Sequence, residues 1–374
     1  VKIVADNKIP FLKNVFEPFC DIEYVKGNEI KNNVIRDVDV LIVRTITRCD
    51  EKLLKGTKVK FIATATIGYD HIDVEYCKRN NIKWINAPGC NSNSVKQWVM
   101  AALLSFINDK GMKLKDRTLG VIGIGNVGSK VVQFAESVGL RVLLNDPPRM
   151  RKEGKCGFVS LDTLLNESNI ISIHVPLNYD GRDKTYGLVD KDFFKKIVPG
   201  TVLINTSRGE VINEDDLLKA ISSNKLSGVL LDVWRNEPDI SGTLMESADI
   251  ATSHIAGYSA DGKANGTTMV VQAVSSFLNL PLTDWCVYDL PVPEKELIRV
   301  DVKDKNVEEV LADAVLGSYP IMTDDANLRA DKTKFQELRS NYMIRREPEY
   351  WKVQLMNDDG NYKRILKDIG FKII

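Results

Sequence analysis

Histidine is scarce in this chain: three residues, His71, His174 and His254, among 374. They show no H-x-x-x-H or Cys/His spacing, which leaves metal chemistry without a ligand set. Net charge is also lacking, since 51 basic residues balance 51 acidic ones. No broad basic field exists to hold a nucleic acid, and no basic amphipathic segment suits a membrane surface. Long hydrophobic runs are missing too. The longest, "WVMAALLSFI", falls well short of the ~20 apolar residues that cross a bilayer. The chain opens on a strand-like "VKIVAD", and no signal peptide is expected. The six cysteines (Cys20, Cys49, Cys77, Cys90, Cys156, Cys286) form no C-x-x-C pair. They read as free thiols of a reducing compartment, with the cytoplasm as the expected location. What remains is an ordinary globular composition, 44% hydrophobic and 27% charged, in a chain long enough for two or three domains. Its partner is expected to be a small molecule.

The first hundred residues alternate β-branched runs with amphipathic segments. "VKIVAD", "IEYVKG", "DVLIVRT", "KFIATAT" and "KWINAPG" read as strands. "PFLKNVFEPF", "NEIKNNVIR" and "DHIDVEYCKRNN" read as helices or turns between them. A long helix, "SVKQWVMAALLSFINDK", follows and ends near Gly111. A second series then runs through "TLGVIGIG", "RVLLND", "IISIHVP", "TVLINTS", "SGVLLDVW" and "DIATSHIA". Several of these strands are apolar almost throughout, as buried parallel strands are. "GTTMVVQAVSSFLNL" reads as another long helix, stopped by Pro281. After the proline-marked stretch "YDLPVPEKE", the tail reads as strand, helix, helix, strand and final helix. The expected fold is α/β: two doubly wound parallel-sheet lobes and a small α+β C-terminal domain. The expected divisions are a flavodoxin-like lobe (1–95 with 257–285), a Rossmann-like lobe (96–256) and the C-terminal domain (286–374).

Gly123, Gly125 and Gly128 stand in the order G-x-G-x-x-G. A strand precedes them, a helix follows, and Asp146 ends the next strand roughly twenty residues on, as a dinucleotide unit requires. Gly123 permits the tight turn, Gly125 lets the backbone approach a pyrophosphate, and Gly128 lets the helix pack on the sheet. The N–H groups of Asn126 and Val127 would face the phosphates at the positive end of that helix. Asp146 would accept from ribose hydroxyls and repel a 2′-phosphate, which favours NAD over NADP. Arg149 and Arg151 read as a solvated loop.

Three further strand ends bring polar residues to the same sheet edge. Arg208 lies just past one buried strand, Asp232 and Glu237 past the next, and His254 past the one after that. Ligands of open α/β sheets bind beyond the carboxyl ends of the strands. His254 alone could be a packed core residue, a metal ligand or a proton carrier. In company with an arginine and a carboxylate at a ligand-binding edge it reads as a general acid/base.

The glycine motif, "NTSRGEVIN", "LDVWRNEP" and "SHIAG" resemble the D-isomer-specific 2-hydroxyacid dehydrogenases over roughly residues 1 to 285. The resemblance implies the catalytic set Arg208, Glu237 and His254. It implies cofactor contacts from the glycine loop, Asp146, Val175, Thr206, Ser207, Asp232 and Gly257. It implies substrate contacts from Thr45, Thr66 and Tyr258, with the backbones of Ile67 and Gly68 as carboxylate donors. "TATIGYDHID", "APGCNSNSV", "NDPP" and "SHIAGYSADGKANGTT" resemble the branch whose substrate is a small phosphorylated 2-hydroxy acid, oxidised at C2 with NAD. Members of that branch carry a C-terminal extension used for homodimerisation. Arg44, Lys263, Arg345 and Arg346 are the candidate cations for the phosphate. The last two read either as a surface pair or as arms reaching a partner's site. Val175 departs from the threonine of many members, which removes one side-chain hydrogen bond to the cofactor. The rivals are 3-phosphoglycerate dehydrogenases and hydroxypyruvate or glyoxylate reductases, and, in a different class, NADH-sensing corepressors on the same fold.

Overall fold

Short runs of valine, isoleucine and leucine become parallel strands wherever both their faces can be covered. The computed structural model describes residues 1–154, 157–358, 360 and 362–374. Cys156 lies outside the described residues, and no disulfide joins the other five cysteines. The chain divides into two units, one of residues 1–91 and 259–291, the other of residues 92–258 and 292–374.

The first unit holds β1 (Lys2–Asp6), β2 (Asp21–Val25), β3 (Val40–Val43), β4 (Phe61–Thr64) and β5 (Lys83–Ile85). They pair in parallel in the order β2-β1-β3-β4-β5, the doubly wound order that places a ligand edge at the strands' carboxyl ends. The segment "PFLKNVFEPF" forms turns, because Phe11 (φ 61°) and Asn14 (φ 66°) take left-handed backbone that no helix accommodates. The helix Ala260–Leu278 buries Val270, Val271 and Val274 against Phe61 and Ala63 of β4. It begins six residues before the expected "GTTMVV" start. Ser259 caps it by accepting from the Gly262 amide (2.7 Å). Gly266 is no breaker there, since a side chain at that position would press on the Ala65 carbonyl at 3.1 Å.

The second unit is built on β6 (Thr118–Ile122), β7 (Arg141–Asn145), β8 (Ile170–Ile173), β9 (Thr201–Asn205), β10 (Leu226–Leu231) and β11 (Ile250–Ala251). The parallel order is β11-β10-β9-β8-β6-β7, and a bridge from Phe158 to Leu144 extends it beyond β7. The order reverses between β6 and β8, the point where open α/β sheets bind dinucleotides. The helix Ser92–Asp109 buries Trp98, Leu103 and Phe106. A side chain at Gly228 of β10 would strike the Phe106 ring at 2.4 Å, so helix and sheet touch through glycine.

The tail belongs to this second unit. It forms β12 (Leu297–Asp301), β13 (Lys352–Met356) and β14 (Lys372–Ile373), paired in parallel in that order. The helix Val307–Ser318 opens with a capping box between Asn306 and Glu309 and packs on Ser92–Asp109. A further helix, Ile321–Ala330, goes unforeseen in the sequence because its middle is polar. Its Asp324 and Asp325 are nonetheless buried: Asp324 accepts from the Tyr319 and Tyr342 hydroxyls, and Asp325 from the Ala251 amide and Arg329.

Candidate active site

The glycine loop follows β6 at the point of strand reversal. Gly123 has φ 87°, and a Cβ there would lie 2.5 Å from the His174 carbonyl oxygen. A Cβ at Gly128 would lie 2.0 Å from the Gly123 carbonyl oxygen, so only glycine lets the helix Asn126–Ser137 start this close to the strand. Gly125 differs from both: a Cβ there meets nothing within 4 Å. It caps the helix without any side-chain acceptor, and its open face lies before the first-turn amides. Open space, an uncapped helix start and positive helix-end charge together fit a pyrophosphate.

Asp146 carries two duties. Its carboxylate accepts from the Ile124 amide (2.8 Å) and, as the cap of the helix Pro147–Glu153, from the Arg149 amide (2.9 Å), which ties the glycine loop to a helix where the sequence reads a loop. Arg149 is not loose in solvent. It donates to Glu153 (2.8 and 2.7 Å) and to the Ile124 carbonyl (2.7 Å), and lies over the Phe158 ring. Arg151 pairs with Asp183. Both guanidinium groups already have carboxylate partners.

Across the strand reversal, His174 follows β8 and faces Ser172 Oγ (2.8 Å) and Thr206 Oγ1 (3.3 Å). Burial pushes its pKa down to about 3, so the ring is neutral at physiological pH. Val175 follows it, with one methyl near Gly123. Asn205, which the motifs do not flag, ends β9 with its side chain fully buried. It accepts from Ser207 N (3.0 Å) and Ser207 Oγ (2.7 Å) and donates to the Arg208 carbonyl (3.0 Å). That lacing shapes the turn from Thr206 to Arg208. Arg208 Nη1 donates to the Ser207 carbonyl (2.7 Å). Gly209 lets this turn lie on the next one, since a Cβ there would sit 1.9 Å from the Trp234 carbonyl carbon.

Glu237 and His254 are in direct contact, Nδ1 to Oε2, at 2.7 Å. The other Glu237 oxygen accepts from the Trp234 amide (3.0 Å). Burial works to raise the Glu237 pKa, but the His254 charge and the two hydrogen bonds outweigh it and hold the carboxyl below its ordinary value. An ionised acceptor on Nδ1 leaves Nε2 as the nitrogen that exchanges a proton with anything bound. His254 itself has φ 55°, a left-handed backbone unusual for a non-glycine residue. Asp232 lies beneath it, 1% exposed. Its carboxylate accepts from Thr252 Oγ1 (2.6 Å), Ile255 N (2.8 Å) and Ala256 N (2.8 Å). Burial pushes the Asp232 pKa up, and those bonds and His254 offset it only in part. Trp98 reaches the same group by donating to Thr252 Oγ1 (3.0 Å).

Gly257 and Tyr258 continue from this loop, and Tyr258 Oη accepts from Arg339 (3.3 Å). The second unit thus brings together the glycine loop, Asp146, Val175, Thr206, Ser207, Arg208, Asp232, Glu237, His254, Gly257 and Tyr258 on the carboxyl side of one sheet. Thr45 and Thr66 belong to the first unit, past β3 and β4. Thr45 is exposed. Thr66 joins a hydroxyl chain: Oγ1 donates to the Gly68 carbonyl (3.0 Å) and meets Thr64 Oγ1 (2.8 Å), which meets His71 Nε2 (3.1 Å). Arg44 donates weakly to the Lys8 carbonyl (3.4 Å), and Lys263 lies in the first turn of the Ala260–Leu278 helix. The surface reading of Arg345 and Arg346 is corrected by the structure: they are 3% and 8% exposed. Arg345 is sheathed by the Tyr319 and Tyr342 rings and Arg346 by the Tyr350 ring, aromatic cover that takes both guanidinium groups out of solvent. Among the described residues no group of three His, Cys, Asp or Glu side chains could hold a metal ion, and no helix is long and apolar enough to cross a membrane.

The fold and the glycine cradle define the class, a dinucleotide-binding α/β protein. Residues 92–256 match the model of the D-isomer specific 2-hydroxyacid dehydrogenase NAD-binding domain, and residues 291–370 match a domain of unknown function. An erythronate-4-phosphate dehydrogenase of Bacteroides thetaiotaomicron is 44% identical over 94% of this chain and 99% of its own length. One from Klebsiella pneumoniae is 37% identical over 100% of this chain and 99% of its own. An NAD+-bound 3-phosphoglycerate dehydrogenase from Entamoeba histolytica superposes with a TM-score of 0.64 at 26% identity, covering 78% of this chain and 99% of that one. The chain belongs to the erythronate-4-phosphate dehydrogenase family, within the D-isomer-specific 2-hydroxyacid dehydrogenases.

Proposed function

We propose that the protein oxidises 4-phospho-D-erythronate at C2 to (R)-3-hydroxy-2-oxo-4-phosphobutanoate, a step in making pyridoxal 5′-phosphate. The observation that carries this reading is the 2.7 Å His254–Glu237 pair, at the same sheet edge as the glycine cradle. Its substrate comes from the name of the relatives that match nearly the whole chain. NAD, held by the Gly123–Gly128 loop and the Asp146 carboxylate, supplies the hydride acceptor. His254 Nε2 takes the proton of the C2 hydroxyl as C2 loses its hydride, and returns it in the reverse direction. Glu237 fixes the Nδ1–H tautomer and stabilises the imidazolium that forms. Arg208 offers a planar fork to the substrate carboxylate and polarises the C2 oxygen. Val175, Thr206, Ser207, Asp232 and Gly257 border the cofactor, and Thr45, Thr66 and Tyr258 contact the substrate. The enzyme works as a homodimer in the cytoplasm, without a membrane or nucleic-acid partner.

The test is NADH formation by the purified protein with NAD and 4-phospho-D-erythronate, beside 3-phosphoglycerate and unphosphorylated erythronate. An added 2-oxo acid releases turnover that a retained cofactor would hide. Strong preference for phosphoerythronate is expected. Preference for 3-phosphoglycerate moves the substrate to another member of the class. NADH binding with no turnover of any of them points to sensing instead.

A further inference from the structure

The two residues after His254 are gripped from both sides by buried charges. On one side Asp232 accepts the amides of Ile255 and Ala256, both at 2.8 Å. On the other, Arg345 Nη2 donates to the carbonyls of the same two residues, to Ala256 and, at 3.3 Å, to Ile255. Arg345 comes from the tail, some ninety positions on, and is 3% exposed. Its Nε and Nη1 have no hydrogen-bond partner among the described residues, a desolvation cost that a purely apolar filler would avoid. The centre of the Tyr319 ring lies 4.4 Å from the guanidinium carbon, and Asp324 accepts from the Tyr319 and Tyr342 hydroxyls (2.7 Å each), so the guanidinium has a fixed seat. Other tail groups hold the same strand and loop. Asp325 accepts from the Ala251 amide of β11 (2.7 Å), and Arg329 donates to the Met245 and Ala248 carbonyls (2.8 and 2.7 Å).

His254 has a left-handed backbone, which persists only where surrounding structure over-determines it. We propose that Arg345 is a positioning residue for His254: with Asp232 it locks the loop that aims the imidazole, and this is one task of the tail matched only to a domain of unknown function. The inference rests on His254 being the acid/base.

The experiment measures kcat, KM and NADH affinity for the full-length protein, Arg345→Lys, His254→Asn and the double variant, with NAD and 4-phospho-D-erythronate. Lysine keeps the charge and loses the fork. Misaiming a reacting group by about 1 Å costs up to roughly a hundredfold in rate. Arg345→Lys is therefore expected to lose about ten- to a hundredfold in kcat, with NADH affinity unchanged within about twofold. In the His254→Asn background the same change is expected to cost nothing further, because groups acting as a unit are non-additive. Unchanged kcat in Arg345→Lys overturns the proposal, as does an equal loss repeated in the His254→Asn background or a parallel loss of NADH binding. If the lysine variant fails to fold, Arg345→Gln, which keeps an amide donor, is read against the same outcomes. Failure of both to fold also overturns it, since the arginine would then hold the unit rather than the loop. A His254→Asn variant with full turnover removes the acid/base reading and the inference together. Full kcat in Arg345→Lys beside an inactive His254→Asn removes the inference alone.

Discussion

His254 presents Nε2 outward because Nδ1 is taken by Glu237 at 2.7 Å and the backbone below is bound to Asp232. Asparagine at this position keeps a polar side chain and loses the titrating ring. His254→Asn is expected to lower turnover by roughly two or more orders of magnitude, with NADH affinity preserved. Steady-state kinetics beside a fluorescence titration checks both halves; near-normal turnover would refute the role. His174 makes a different prediction. Its folded pKa is about 3, against 6.5 for the free side chain. Between those values the unfolded chain binds the additional proton, so this group's contribution to stability is lost as pH falls through that window. His174→Asn removes the contribution. The stability gap between the two proteins, measured by urea denaturation, should shrink from about pH 7 to about pH 5. A constant gap would show that the ring is not held neutral. Residues of this kind mark the limit of the sequence. Arg208, Glu237 and His254 can be picked out because reactive side chains stand just past apolar strands. His174, Asn205 and Arg345 cannot, because what defines them is a partner or a buried seat supplied by distant segments.

At the scale of elements, the glycine loop shows how steric exclusion at one residue decides where a helix begins. A Cβ at Gly128 would lie 2.0 Å from a backbone oxygen, which has no side chain to swing aside. Gly128→Ala must therefore push the helix Asn126–Ser137 away from β6. Such overpacking costs about 1–3 kcal/mol. The displaced first-turn amides should also weaken NADH binding, which a titration and a thermal melt measure together; retention of both would mean the loop is softer than its contacts imply. Gly125→Ala is the control for stability, since its Cβ meets no protein atom. It should fold normally and lose affinity only through the space it takes from the ligand. The strands are legible in the sequence because a run such as "TVLIN" is buried along its whole length and has few other solutions. The helix Ile321–Ala330 is not. Its Asp324 and Asp325 look like solvated charges until Tyr319, Tyr342 and the Ala251 amide come to meet them. The early start of Ala260–Leu278 is hidden for a related reason: its glycines suggest a break, whereas Gly266 is there for a close approach to the Ala65 carbonyl.

At the scale of the molecule, the tail's contacts decide whether the second unit survives without it. The helix Val307–Ser318 buries Val310, Leu311 and Val315 to 1% exposure or less, in the same core as Trp98 and Leu103. Burying one such side chain is worth about 1.5–3 kcal/mol, so these three alone rival the ~5–15 kcal/mol net stability of a typical domain. The helix Ser92–Asp109 is also adapted to the tail in its polar residues. Ser94 bonds Glu347 (2.7 Å), Lys96 Nζ bonds Glu349 (3.3 Å) and the Ile369 carbonyl (3.1 Å), and Gln97 bonds the Arg346 carbonyl (3.1 Å). Removing the tail would strand those groups beside newly exposed valine and leucine, and would strip β11 of Asp325. A chain ending at Pro291 is therefore expected to lose cooperative thermal unfolding and NADH binding together, even though the glycine loop and the His254–Glu237 pair remain in its sequence. If instead it melts at the temperature of the full protein and binds NADH equally well, the tail is an appendage, and the packing of Val307–Ser318 on Ser92–Asp109 contributes little to holding the sheet and its site together.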